Sequence, residues 1–441
     1  MRRWPGRYLR EEAIDCNSSI QNWGNTMSAT DQATLSDTEA EEFRARCRAF
    51  LEQNATGMAG VKSGDGGVAA VEAAQLFQKK LVDAGLAGLT FPTEFGGAGL
   101  SPAHERIWRE EYGSFPDMTS QLIISHGMCL PVLNDFASPE LKQKYMPSNI
   151  SGESVWCQMF SEPGAGSDVA SLQTKAERDG DEWIINGQKV WTTLAHVCDY
   201  GVLIARTDPD QPKHAGISMF MVDMRDPAVE IRSIHQIDGG RHFNEVFFTD
   251  LRIPAEWMLG DYNEGWRQAT AMLMYERVAI GAGSTSGITT PHSDRLIKAA
   301  KANGSIDDPV LRQEMMRVYS AEFAKSLVSM RTRAGMKAGR APGPGGSIGK
   351  LFGAKIMGQM RELVPAVVGS PVMGWEASGD DDKVDDYWTK MILTSFQASI
   401  AGGTDEIQKN IIGDRVLGLP REPSVDKGVP FKELTVGTQK S

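Results

Sequence analysis

The sequence is poor in the residues that make covalent staples and metal centres. Its five cysteines (Cys16, Cys47, Cys129, Cys157 and Cys198) are odd in number, widely spaced and form no CxxC pair. That set excludes a disulfide framework and a thiolate zinc site, and fits reduced thiols in a cytoplasmic compartment, or the mitochondrial matrix in a eukaryotic source. The seven histidines contain no HxxxH pair, so no metal is expected. No apolar run approaches the ~18 residues of a membrane-spanning helix. Positive charge is also short: 46 Lys and Arg face 57 Asp and Glu, a net of -11, which argues against a nucleic-acid partner. What is present is ordinary globular material. Of 441 residues 41% are hydrophobic, with 46 glycines besides, a length that predicts roughly two to three domains.

The hydrophobic period changes twice along the chain. Residues 1–38 open with Arg2, Arg3, Arg7 and Arg10, but no apolar stretch follows and Glu11, Glu12 and Asp15 intervene. This is expected to be a disordered extension, not a targeting signal. Residues 39–152 read as helical. Ser36-Asp-Thr-Glu39 has the form of a capping box ahead of Phe43, Cys47, Phe50 and Leu51, and a second helix is expected from Val71 to Ala84. Phe91 to Leu100 carries Pro and three Gly and breaks the helical run. From 153 to 262 the pattern is β-rich. Asn186-Gly187, flanked by apolar residues, predicts a hairpin turn, and short runs at 202–206, 217–222, 229–234 and 245–253 predict an antiparallel barrel or sandwich. Residues 263–425 are helical again, interrupted by a Gly/Pro-rich loop at 339–346, and 426–441 form a tail. Helices, then strands, then helices is not a βαβ alternation. A Rossmann domain is therefore not expected, and the glycines of 281–287, which follow a helical stretch with the wrong spacing, are not read as a dinucleotide loop.

Two segments carry chemistry. In Phe160-Ser-Glu-Pro-Gly-Ala-Gly-Ser-Asp168 the glycines permit turns between two serines, and the backbone N–H groups can cradle an anion or a polar ring edge. In Trp191-Thr-Thr193 an indole could stack on a planar cofactor and a hydroxyl could bond its edge. Each alone is equally an ordinary turn and a core tryptophan. Together with Phe91-Pro-Thr-Glu-Phe-Gly-Gly-Ala-Gly99, Asn244-Glu-Val-Phe-Phe248, Ile253-Pro254 and Gly402-Gly-Thr-Asp-Glu-Ile-Gln408, in this order, they resemble the acyl-CoA dehydrogenases.

The resemblance spans about 38 to 425 and implies an α+β multidomain fold: an N-terminal helical domain, a middle antiparallel β-barrel or sandwich and a C-terminal four-helix bundle. It implies FAD as cofactor, an acyl-CoA substrate and an electron-transfer flavoprotein as acceptor. It also implies a homo-oligomer (dimer or tetramer) or a heteromer with a related subunit. Ser161 and Thr193 would bond the flavin edge, Gln158 and Trp191 would line the ring, and Ser167 would sit near phosphate groups and substrate. Gly403 and Thr404 would also contact the cofactor. The reaction requires a carboxylate that removes the α-proton of the thioester while the β-hydride passes to flavin N5. Many members place this Glu directly before a Gly-Thr pair, where this chain has Gly402. A subset uses an earlier helix, and Met274-Tyr-Glu-Arg277 matches it. Glu276 is therefore the expected base, supported by Arg277, with Met274 and Gly402 beside the acyl group. The Arg that meets FAD from the partner subunit is missing from Ala302 to Pro309. This keeps open a heteromeric subunit without a complete FAD site, and a flavin oxidase or monooxygenase on the same fold is the other alternative.

Overall fold

The computed structural model describes residues 35–55, 67–279, 292–337, 345–374, 387–423 and 426–435. The 281–287 segment and most of the 1–38 and 339–346 segments lie outside the described residues. Among the described residues five α-helices come first: α1 (Asp37–Asn54), α2 (Val68–Asp83), α3 (Pro102–Tyr112), α4 (Leu130–Phe136) and α5 (Pro139–Ile150). The expected capping box is formed. Glu39 N–H donates to Ser36 Oγ at 3.3 Å, and Ser36 N–H donates back to the Glu39 carboxylate at 2.9 Å. Phe43, Cys47 and Leu51 then bury the inner face of α1.

Eight strands follow: β1 (Trp156–Met159), β2 (Lys175–Asp179), β3 (Glu182–Thr193), β4 (Tyr200–Arg206), β5 (Ile217–Asp223), β6 (Val229–Ser233), β7 (Phe243–Pro254) and β8 (Met258–Leu259). They form one sheet in the order β6-β7-β3-β2-β4-β5-β8, with β1 beside β4. The pairing is mainly antiparallel, but β1 and β2 meet β4 in parallel. β4 and β5 read as nearly unbroken apolar runs because both of their faces are buried. One face shares a core with the N-terminal helices.

The Asn186-Gly187 pair does not turn a hairpin. β3 runs straight through it, and the turn between β2 and β3 lies at Gly180-Asp181. Gly187, at φ 153°, instead admits a neighbouring backbone, since a Cβ there would stand 2.6 Å from Thr174 Cα. Asn186 is taken up by Asp250, whose N–H it accepts at 2.9 Å and whose carboxylate it meets at 3.0 Å. A side chain bonded across strands replaces the turn chemistry that Asn-Gly usually signals.

The C-terminal part comprises α6 (Gly265–Ala279), α7 (His292–Asn303), α8 (Pro309–Lys337), α9 (Gly346–Val368), α10 (Tyr387–Thr394) and α11 (Asp405–Ile411). Its own core joins Leu296, Met315, Val318, Met360, Val364 and Trp388. α6, though it follows the strands in sequence, packs on the N-terminal helices and the sheet. Ala269 and Met272 enter the N-terminal core. The helix also comes close to the turn 125–129, where a Cβ on Gly127 would stand 2.8 Å from Ala279 Cβ.

Candidate active site

β3 alternates inward and outward, with Trp183, Ile185 and Lys189 buried. Continued strictly, that period would bury Trp191. The register against β7 slips between Lys189 and Thr192, and this bulge flips the parity. Thr192 turns inward, and Trp191, at φ 61°, is left 58% exposed, its ring nearly perpendicular to that of Phe243 at 5.9 Å between centroids. A large indole held out of the core by strained backbone is the arrangement expected of a binding wall. Val190 N–H donates to the Ser161 carbonyl at 2.9 Å. This bond sets Ser161 beside Val190, next to Trp191, with Thr193 two residues further along β3 and half-buried Gln158 on β1. Ser167 is exposed on the same Gly-rich loop, and a Cβ on Gly166 would meet nothing within 4 Å.

A pair that the sequence reading did not single out anchors this loop. Lys189 has no exposed surface, and its Nζ donates to Glu162 Oε1 at 2.8 Å and to the Phe160 carbonyl at 3.0 Å. Glu162 also accepts from the N–H groups of Gln173 and Thr174 at 2.7 and 2.9 Å. Burial by itself would raise the Glu162 carboxyl, but Lys189 and these N–H donors hold it below its ordinary value. Burial pushes the Lys189 ammonium down, partly opposed by Glu162. The signal was legible: an inward-facing lysine at an odd position of an apolar strand must find a carboxylate.

A second locus lies on the helices. Tyr275 donates to Asp135 of α4 and so fixes the rotation of α6. The next residue, half-buried Glu276, faces the loop before α11. An ideal Cβ on Gly402 would stand 3.8 Å from Glu276 Oε1. Gly402 (φ +64°) and Gly403 (φ +87°) are both left-handed. Gln408 Nε2 donates to the Gly402 carbonyl at 3.0 Å, and a Cβ on Gly403 would collide with that amide at 2.7 Å. Thr404 accepts the Ile407 N–H at 3.3 Å and caps α11, with Asp405 in the first turn. Met274 is 50% exposed. The side chain of Arg277 lies outside the described residues. α6 and β1 both pack on the turn 125–129, which relates the two loci.

The donor set of the first locus fits a flavin: an exposed indole face, hydroxyl groups and a Gly-rich loop open above Gly166. Among the described residues no group of His, Cys, Asp and Glu could hold a metal, and no helix is long and apolar enough to cross a membrane.

Comparison with known proteins identifies the family. Family models described as acyl-CoA dehydrogenase N-terminal, middle and C-terminal domains match residues 37–153, 157–251 and 263–417. The acyl-CoA dehydrogenase IpdE1 of Mycobacterium tuberculosis is 38% identical over 390 residues, covering 87% of this chain and 99% of that protein. The mouse mitochondrial short-chain specific acyl-CoA dehydrogenase is 28% identical, covering 71% of this chain and 74% of that one. Among solved structures, a variant of the Tcur3481–Tcur3483 steroid ACAD superposes with a TM-score of 0.71 at 25% identity, covering 88% of this chain and all of that chain. The chain belongs to the acyl-CoA dehydrogenase family, and is an FAD-dependent oxidoreductase of acyl-CoA thioesters.

Proposed function

We propose that this enzyme desaturates an acyl-CoA between its α and β carbons to the trans-2-enoyl-CoA, with Glu276 as the base. The observation that carries the proposal is the pairing of Glu276 Oε1 with Gly402, 3.8 Å from where a side chain would begin. At the position where many relatives carry a carboxylate there is space, and a carboxylate from α6 borders that space. Seated between helices, the Glu276 carboxylate takes the α-proton at an oxygen. Bound FAD supplies the hydride acceptor. Ser161 and Thr193 orient its ring edge, Trp191 and Gln158 border it, and Gly403 and Thr404 approach it from the α11 side. Ser167 meets phosphate or substrate, Met274 and Gly402 border the acyl chain, and Arg277 supports Glu276. An electron-transfer flavoprotein is the acceptor that completes the cycle. The retained Glu276 disfavours the monooxygenase alternative, since oxygen transfer needs no α-proton base; an oxidase would use the same base, and the oxygen reactivity of the reduced flavin separates it from a dehydrogenase.

The active form is an oligomer, homomeric or paired with a related subunit. Tyr319, Phe323, Leu327 and Met330 recur along α8 and are 42%, 56%, 48% and 56% exposed in the single chain. Light scattering of the protein purified alone and beside its relatives tests this.

Glu276→Gln tests the base. Mixed anaerobically with a thioester that bleaches the wild type, it should keep its flavin spectrum and bind the thioester, with bleaching slowed by about 10²–10⁴. Bleaching at the wild-type rate would remove Glu276 from the mechanism.

A further inference from the structure

The Gly-rich loop is tied down at both ends. Its first end is held by Glu162 and Lys189. Its second end depends on residues far away in the chain. Lys213 Nζ donates to Asp168 Oδ1 and Oδ2 at 3.2 and 3.1 Å, and lies 2.5 Å from Asp426. Arg206, almost fully buried, donates to the carbonyls of Ala170 at 2.6 Å and Lys213 at 2.6 Å. The ring of Phe431 covers its guanidinium at 3.7 Å. The C-terminal segment is itself fixed to the β domain. Phe431 N–H donates to the Gln211 carbonyl at 2.8 Å, Lys432 N–H donates to the Pro209 carbonyl at 3.0 Å, and Pro430 bridges Pro212.

We infer that residues 426–434 form a strap that sets the position of the phosphate-facing half of the Gly-rich loop, with Lys213 and Arg206 as positioning residues between them. The two cations are shared. Each holds the loop on one side and the strap on the other, so Asp426 and Phe431 of the strap support the loop's second end beside the local bonds from Ser171 to Asp168. Without Asp426, Lys213 has Asp168 alone, a carboxylate mostly open to solvent. Without Phe431, water reaches Arg206 and competes for the carbonyls that it holds. The flavin-edge half of the loop is pinned separately by Glu162 and Lys189, so the strap acts on Ser167 and Asp168, not on Ser161. The inference rests on the proposal that Ser167 faces phosphate, which could belong to FAD or to the CoA thioester.

The test uses the full chain with Asp426→Asn and Phe431→Ala, singly and together. Lys432→Ala serves as control, because Lys432 pairs outward with Asp210. Two constants are measured: FAD affinity by reconstitution of apoprotein, and KM for the thioester at saturating FAD. The double variant should raise one of them roughly three- to tenfold, with kcat nearly unchanged. A rise in FAD Kd assigns the strap to the cofactor's pyrophosphate, and a rise in KM assigns it to the CoA phosphates. Asp426→Glu with Phe431→Trp should restore the constant. Should the double variant fail to fold, Asp426→Asn alone is read in the same way. Unchanged constants in a folded variant, or equal effects from the Lys432 control, would overturn the strap. FAD affinity is read without substrate, so a failed base assignment leaves this test intact.

Discussion

The two loci of the site are built on opposite physical terms. The flavin-side patch is held by polar bonds that converge on one carboxylate: Glu162 takes Lys189 of β3 and two backbone N–H groups of the segment leading into β2. The base-side locus is held by vacancy. Glu276 borders Gly402, and the loop at Gly402 and Gly403 takes its shape because no Cβ is present. A site made of satisfied buried charge fails abruptly when one partner goes, whereas a site made of space fails by degrees as bulk is added.

Three substitutions or conditions would break or sharpen that contrast. The largest effect is expected from Lys189→Met, which leaves Glu162 buried without its cation. Stability should drop by about 3–5 kcal/mol, read by denaturant unfolding of the holoprotein. A loss under about 1 kcal/mol would show that the pair is not what fixes the loop. Next is the pH dependence. Glu162 is held below its ordinary value, so its contribution is complete above the unfolded carboxyl range and fades as pH falls through the lower folded value. In Lys189→Met burial is opposed only by the Gln173 and Thr174 N–H groups, so the carboxyl rises relative to wild type, and acidification from neutral should cost the variant less stability than it costs wild type. Matching pH slopes would contradict the account. The smallest effect is expected from Gly402→Ala. The methyl meets Glu276 at ordinary contact distance, while the left-handed backbone costs about 1 kcal/mol. Bleaching by thioester should slow less than tenfold, and Gly402→Leu should slow it further. An alanine as damaging as the leucine would mean that strain, not space, governs the locus.

Much of this was legible in the sequence, and the failures have identifiable causes. The Ser36–Glu39 cap, the buried face of α1 and the strand at 217–223 follow from local spacing. Asn186-Gly187 misled because the Asn side chain and the Gly backbone each found a long-range partner, Asp250 and Thr174, that outweighs turn propensity. The exposure of Trp191 depends on a register slip against β7, and nothing in the residues around it encodes that slip. The neighbourhood of Glu276 and Gly402 was reached through resemblance alone, since no local pattern joins an α6 carboxylate to a glycine before α11. The return of residues 426–434 to the β domain was invisible for a similar reason: a tail read as an ending carries no period that points backwards.

The buried state of Lys189 has a chemical side. Thioesters acylate amines, and an enzyme that gathers acyl-CoA at its site exposes its own nearby lysines to that side reaction. The Lys189 amine that is bonded into the Gly-rich loop's first turn has no exposed surface, and its nitrogen donates to two protein oxygens. The lysine that organises the loop is thereby kept from that side reaction.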